Sequence, residues 1–152
     1  MVILSHQFCS LILGSVGDSF GTLYMRQQSG WPEHWISGLA DVQKELHRWE
    51  SADSVAQAWA YSVSHSQMLV RIYRQQGTGS PSPTSLYLYL KDCHRVSFHD
   101  LWRDIRVRVE EQRGKYGPEF IVTDGDRLFV HCGVRPFAAE SPVFLRFETP
   151  SI

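Results

Sequence analysis

The chain has 152 residues, 43% hydrophobic and 20% charged, with a formal net charge of −1. A single domain of this length buries a sizeable core, and the composition is that of an ordinary globular protein, not a disordered one. The near-neutral charge argues against wholesale attraction to nucleic acid or to a membrane surface.

Residues 3 to 16 read as a first strand and Leu23 to Gln27 as a second. The apolar start raises the question of a signal peptide, but no Lys or Arg precedes Arg26, so the positive n-region is missing. No apolar run approaches the roughly 18 residues that span a bilayer. The expectation is a soluble, cytoplasmic protein with no membrane partner. The connection between the two strands carries Gly14, Gly17 and Gly21. That is not the GxGxxG spacing of a phosphate-cradling loop, and a glycine-bearing hairpin turn accounts for it.

Trp31-Pro32-Glu33 has the chemistry of a helix start, with Pro in the first turn and an acid beside the positive helix end. Trp35, Leu39, Val42, Leu46 and Trp49 then form one apolar stripe, with Lys44, Glu45 and Arg48 off it. Ser51 can cap a second helix that buries Val55, Trp59 and Val63, helped by Ala52, Ala56, Ala58 and Ala60. From Gln67 the period switches to two: Met68, Val70 and Ile72 alternate with Leu69, Arg71 and Tyr73. Residues 75–84 are rich in Gly, Ser and Pro and read as a flexible excursion between paired strands.

Ser85 to Cys93 has the strongest alternation in the chain. Leu86, Leu88 and Leu90 fall on one face; Tyr87, Tyr89, Lys91 and Cys93 fall on the other. Val96-Ser97-Phe98-His99-Asp100-Leu101 then resembles a capping box with a staple, predicting a third helix. Its stripe is Phe98, Leu101, Trp102, Ile105 and Val109, and it stops near Gly114; Val107 does not fit it. Glu119 to Cys132 reads as a hairpin around Asp124-Gly125-Asp126. A three-residue loop would pair Val122 with Leu128 and Phe120 with Val130, matching apolar with apolar. The tail from Val143 to Phe147 suggests an added edge strand. The whole reads as one α+β domain over residues 1–152, in the order β-β-α-α-β-β-α-β-β. Its sheet is mainly antiparallel, with three helices largely on one face.

Cysteine and histidine neighbours raise a zinc site or a Cys-His nucleophile: His6 with Cys9, Cys93 with His94, His131 with Cys132, and His99 nearby. Adjacent residues on a strand point to opposite faces, and no short Cys or His grip is present. No metal, cofactor or catalytic residue is therefore assigned, and an enzyme is disfavoured. Three widely spaced cysteines also argue against a disulfide framework and for a reducing setting.

The remaining candidate is the sheet face opposite the leucines. Tyr24, Arg26, Arg71, Tyr73, Tyr87, Tyr89 and Lys91 can share it. Tyr and Arg are enriched at protein–protein hot spots, and rings interleaved with cations also suit single-stranded nucleic acid. The first expectation is a small intracellular protein-interaction domain (adaptor, inhibitor or accessory subunit) whose partner is another protein. A nucleic-acid-binding module on the same face is the second, and a Cys/His-dependent enzyme or metal site the third.

Overall fold

Period-two alternation, interrupted by bulges and tight turns, organises about half of the described residues. The computed structural model describes residues 31–77, 79 and 81–147. The two strands predicted before residue 30 lie outside them, as do Gly14, Gly17, Gly21, Tyr24, Arg26, His6 and Cys9. One helix, α1 (Leu39–Trp49), precedes nine strands: β1 (Ser54–Ser62), β2 (Gln67–Arg74), β3 (Ser85–Leu90), β4 (Cys93–Phe98), β5 (Leu101–Arg103), β6 (Arg108–Arg113), β7 (Pro118–Asp124), β8 (Leu128–Cys132) and β9 (Phe137–Ser141). They form two antiparallel sheets, ordered β5-β1-β2-β3-β9 and β4-β8-β7-β6. The expected α+β fold with three helices is thus overturned: among the described residues the protein is mostly β, with one helix.

The helix forms where the apolar stripe is strictest. Val42, Leu46 and Trp49 are its buried residues, Asp41 lies in its first turn, and His47 and Arg48 lie in its last. It starts later than Pro32 suggests. Ile36 is held extended by a two-way backbone bridge to Ala138 of β9, at 2.8 and 2.9 Å, so Trp31 and Trp35 leave the helix. Gln43 on α1 accepts from the Val109 N–H at 2.9 Å and donates to the Val107 carbonyl at 3.2 Å. The helix thereby satisfies backbone groups at β6, an edge of the four-stranded sheet, which would otherwise offer a template for another strand.

The second predicted helix is β1. A register shift between Ala58 and Ala60 leaves Trp59 as an extra residue opposite β2. Ala56 and Ala58 face the core before this bulge; Trp59 and Ala60 both join the opposite face, and Tyr61 packs on the core again. A bulge shifts the phase of alternation, so the side-chain pattern no longer reads as a period of two. Val55, Trp59 and Val63 then imitate a helical stripe by coincidence, and Val63 is exposed.

The third predicted helix is the end of β4 and all of β5 and β6. Asp104 takes a positive φ of 51°, which breaks any helix there. Ile105, Val107 and Val109 are buried in alternation while Leu101, expected inside, is 47% exposed. Val107, unaccounted for on a helix, fits the extended chain.

The β7–β8 hairpin keeps the predicted faces but shifts the predicted register by two residues. Val122 pairs with Val130, Phe120 with Cys132 and Asp124 with Leu128. The loop is therefore Gly125-Asp126-Arg127, with Gly125 at φ 55°, a conformation that favours glycine. The predicted strand at 85–93 divides as well: β3 ends at Leu90, and Cys93 opens β4. The predicted edge strand at the tail is not a strand; the edges of the five-stranded sheet are β5 and β9.

One core unites these elements. Val42, Leu46 and Trp49 of α1 cluster with Val70, Ile72, Leu86, Leu88 and Leu90 of one sheet and with Phe120, Val122, Leu128 and Val130 of the other. The three leucines of β3 lie in it, as their alternation predicts. Among the described residues no helix is long and apolar enough to cross a membrane.

Candidate protein-interaction surface

The face of the five-stranded sheet turned away from this core carries the tyrosines. On β2 it presents Leu69, Arg71 and Tyr73; on β3, Tyr87 and Tyr89. The register places Arg71 opposite Tyr87, Leu69 opposite Tyr89 and Phe137 of β9 opposite Tyr89. The structure therefore brings together four of the predicted residues, and Lys91 reaches the same patch with its ammonium 5.8 Å from the Tyr89 ring. The face is not open, however. Tyr87 is fully buried, Arg71 nearly so, and Tyr73, Tyr89 and Lys91 are half-buried.

Two flanking segments lie over it. The chain from Val143 to Phe147 crosses the sheet, with Leu145 buried against Ala60, Leu69 and Tyr87. Its backbone is pinned by aromatic side chains: the Trp59 indole donates to the Leu145 carbonyl at 2.6 Å, and the Trp31 indole donates to the Arg146 carbonyl at 2.7 Å. The Tyr87 hydroxyl donates to the Val143 carbonyl at 3.3 Å and accepts from the Leu145 N–H at 3.4 Å. The second segment brings Trp31 and Trp35 against Tyr89, at ring-centre distances of 5.0 and 5.7 Å.

Among the described residues, Arg71 is the one buried cation of this layer. Its Nε donates to Ser85 Oγ at 3.0 Å. Its guanidinium also lies 5.2, 4.4 and 4.7 Å from the ring centres of Trp59, Tyr73 and Phe144. Rings on several sides return part of the hydration energy that the cation loses on burial. Burial pushes the Tyr87 phenol pKa up, against the lowering pull of its backbone hydrogen bond and of Arg71. Tyr87 thus stays a neutral hydrogen-bonding group.

What reaches solvent is the top of this second layer. Phe144 is 58% and Val143 49% exposed. Phe144 stacks at 5.3 Å on Trp59, and half-buried Trp31, Trp35 and Phe147 continue the apolar area. Periodicity alone puts Trp35 and Trp59 on helix stripes and does not single out Phe144 and Phe147 as surface residues. Their signal was the alternation Val143, Leu145, Phe147 against Phe144 and Arg146, which marks an extended segment without saying where it packs.

A separate depression of about 560 Å³ lies beside the end of α1 and the 75–84 loop. Its floor is Trp49, with the guanidiniums of Arg48 and Arg74 at 5.8 and 4.7 Å from the ring centre. Arg48 is already paired with Glu45 and Glu140, so this polar hollow is largely charge-matched.

The cysteine and histidine neighbours separate as strand geometry requires. Cys93 and Cys132 point into the core. His94 and His131 lie on the opposite face, with ring centres 5.8 Å apart; His131 meets Glu119 at 2.7 Å and His94 meets Asp92 at 3.4 Å. His99 is exposed just after β4. No group of three His, Cys, Asp or Glu side chains among the described residues is arranged to hold a metal ion. Comparison of the chain with protein-family models, with curated proteins and with solved structures finds no match.

Proposed function

We propose that this protein is a small protein-interaction domain, an adaptor, inhibitor or accessory subunit, that docks a partner protein on the aromatic layer over its five-stranded sheet. The observation that carries the reading is Val143 and Phe144, two neighbouring large apolar side chains left exposed, Phe144 against Trp59, on a segment whose Leu145 is buried in the aromatic layer. Aromatic residues are enriched at the cores of interfaces, and anchors there work best on a rigid support. The hydrogen bonds from Trp31 and Trp59 to the 143–147 backbone supply that support.

The nucleic-acid reading draws less support. A stacking platform needs open rings beside open cations, whereas Tyr87 and Arg71 are buried and Arg71 is occupied by Ser85 and three rings. The Cys/His enzyme reading is weaker still, because the imidazoles of His94 and His131 face away from the thiols.

The test uses the protein and its Val143→Ser/Phe144→Ser variant as paired baits in native extract, with quantitative mass spectrometry of captured proteins and nucleic acid. The variant should lose at least about ten-fold in partner affinity, about 1.4 kcal/mol. Its melting temperature should move by only a few degrees, as expected for exposed positions. Equal capture by both baits would remove the proposed surface. Capture of single-stranded nucleic acid that weakens steeply with salt would favour the second reading.

A further inference from the structure

Two cysteines that are 39 positions apart in the sequence meet inside the fold. Cys93 opens β4, Cys132 closes β8, and they are direct register partners. The pair is of the non-hydrogen-bonded kind. The Cys93 N–H donates to the Ser66 carbonyl at 2.9 Å instead of to Cys132, and the Gly133 N–H donates to the Asp92 carbonyl at 2.9 Å, one residue outside the pair on each strand. In such pairs the Cα atoms stand about 4.5 Å apart, and side chains on the shared face lie closer than at any other position in a ladder. Disulfides span Cα separations of about 4.4–6.8 Å, so a bridge fits here without moving the strands. Both thiols are free, and both lie buried in the same core cluster.

We propose that Cys93 and Cys132 form a dithiol–disulfide site that exchanges with low-molecular-weight disulfides of the oxidised-glutathione class. Cys93 is the attacking thiol and Cys132 the resolving one. Cys93 is 6% exposed, beside the Lys91–Asp92 turn, while Cys132 is 0% exposed. The two thiols titrate as a pair, because the first thiolate to form disfavours a second one beside it, and burial raises both. The reactive species in exchange is a thiolate that can reach the incoming disulfide, so the edge position of Cys93 sets the order of events.

In the first step the Cys93 thiolate attacks one sulfur of oxidised glutathione. The new bond joins Cys93 Sγ to glutathione, the original S–S bond breaks, and one glutathione thiolate leaves with the proton that Cys93 gave up. In the second step Cys132 loses its proton and attacks Cys93 Sγ, closing the Cys93–Cys132 bridge and expelling the second glutathione, which takes up that proton. Two protein thiols are oxidised by two electrons, and one glutathione disulfide is reduced to two thiols. Neither step needs a metal or the nearby imidazoles.

The unaltered chain is incubated with oxidised glutathione in native buffer, its remaining thiols are alkylated, and it is mapped by non-reducing peptide mass spectrometry. Joined peptides carrying Cys93 and Cys132, lighter by two hydrogens (about 2 Da) and separated again by reduced glutathione, are the expected result. The same treatment in denaturant should scatter the links among Cys9, Cys93 and Cys132. A native chain in which Cys93 and Cys132 remain alkylatable, hold glutathione without closing, or join Cys9 instead would overturn the proposal.

Discussion

Replacing Tyr87 by serine should destabilise the fold by about 3–5 kcal/mol, the range for truncating a large buried aromatic side chain. The ring is fully buried against Leu69, Leu145 and Ala60, and the serine hydroxyl is too short to take over its bonds to the Val143 carbonyl and the Leu145 N–H. The variant should therefore lose its cover along with its core contact. Its melting temperature should fall by roughly 10 °C or more, and the Leu145 amide should exchange hydrogen faster. Tyr87→Phe separates the two contributions, because it keeps the ring and loses only about 0.5–1.5 kcal/mol of hydrogen bonding. The raised phenol pKa adds a signed test. The folded state favours the neutral phenol, so this contribution is complete below the ordinary tyrosine value of about 10 and disappears as pH rises through the higher folded value. Tyr87→Phe should remove that share of the alkaline loss. A Tyr87→Ser chain that melts like the parent but no longer captures a partner would mean that the tyrosine face is open.

Alternation in β2 and β3 is unbroken, so the start of each strand, their shared apolar face and the loop between them are legible in the sequence, though not the break after Leu90. The α1 stripe is legible for the same reason. The errors have local causes. The bulge at Trp59 and the left-handed Asp104 each shift the phase of an extended chain, and a shifted phase puts apolar residues at helical spacings. Ser97 and Asp100 look like a capping box because the same short polar side chains suit turns. The tyrosine face is a different kind of error. Its alternation was read correctly, but alternation says only that two faces differ, not that the second one meets water. Leu145 covers it from more than fifty positions away in the chain, and nothing within residues 67–91 signals that cover. The Cys93–Cys132 pairing was hidden likewise: strand geometry correctly separated each cysteine from its neighbouring histidine, but the register across β4 and β8 cannot be read from spacing.

The Asp124-Gly125-Asp126 turn carries the second large prediction, because its two aspartates do different work. Asp126 is exposed at the loop tip, and Asp126→Ala should change stability by no more than about 0.5 kcal/mol. Asp124 is nearly inaccessible. One carboxylate oxygen accepts from the Trp102 indole at 2.8 Å and from the Arg106 N–H at 2.9 Å, and the other accepts from Arg127 at 2.5 Å. Trp102 belongs to β5 of the five-stranded sheet and Asp124 to β7 of the other, so this carboxylate ties the two sheets together. Asp124→Ala leaves a buried indole N–H and a backbone N–H without their acceptor and removes the partner of Arg127. Breaking a buried ionic group of this kind costs about 3–5 kcal/mol. The Arg127 side chain is 27% exposed and recovers part of its solvation, which puts the expected loss near the lower end, about 3 kcal/mol. Trp102→Phe keeps most of the packing and should cost about 0.5–1.5 kcal/mol for its hydrogen bond. If the bond between the sheets is what matters, Asp124→Ala and Trp102→Phe should be non-additive by at least about 0.5 kcal/mol in urea unfolding. Additive losses, or equal losses at Asp124 and Asp126, would return Asp124 to the role of an ordinary turn residue.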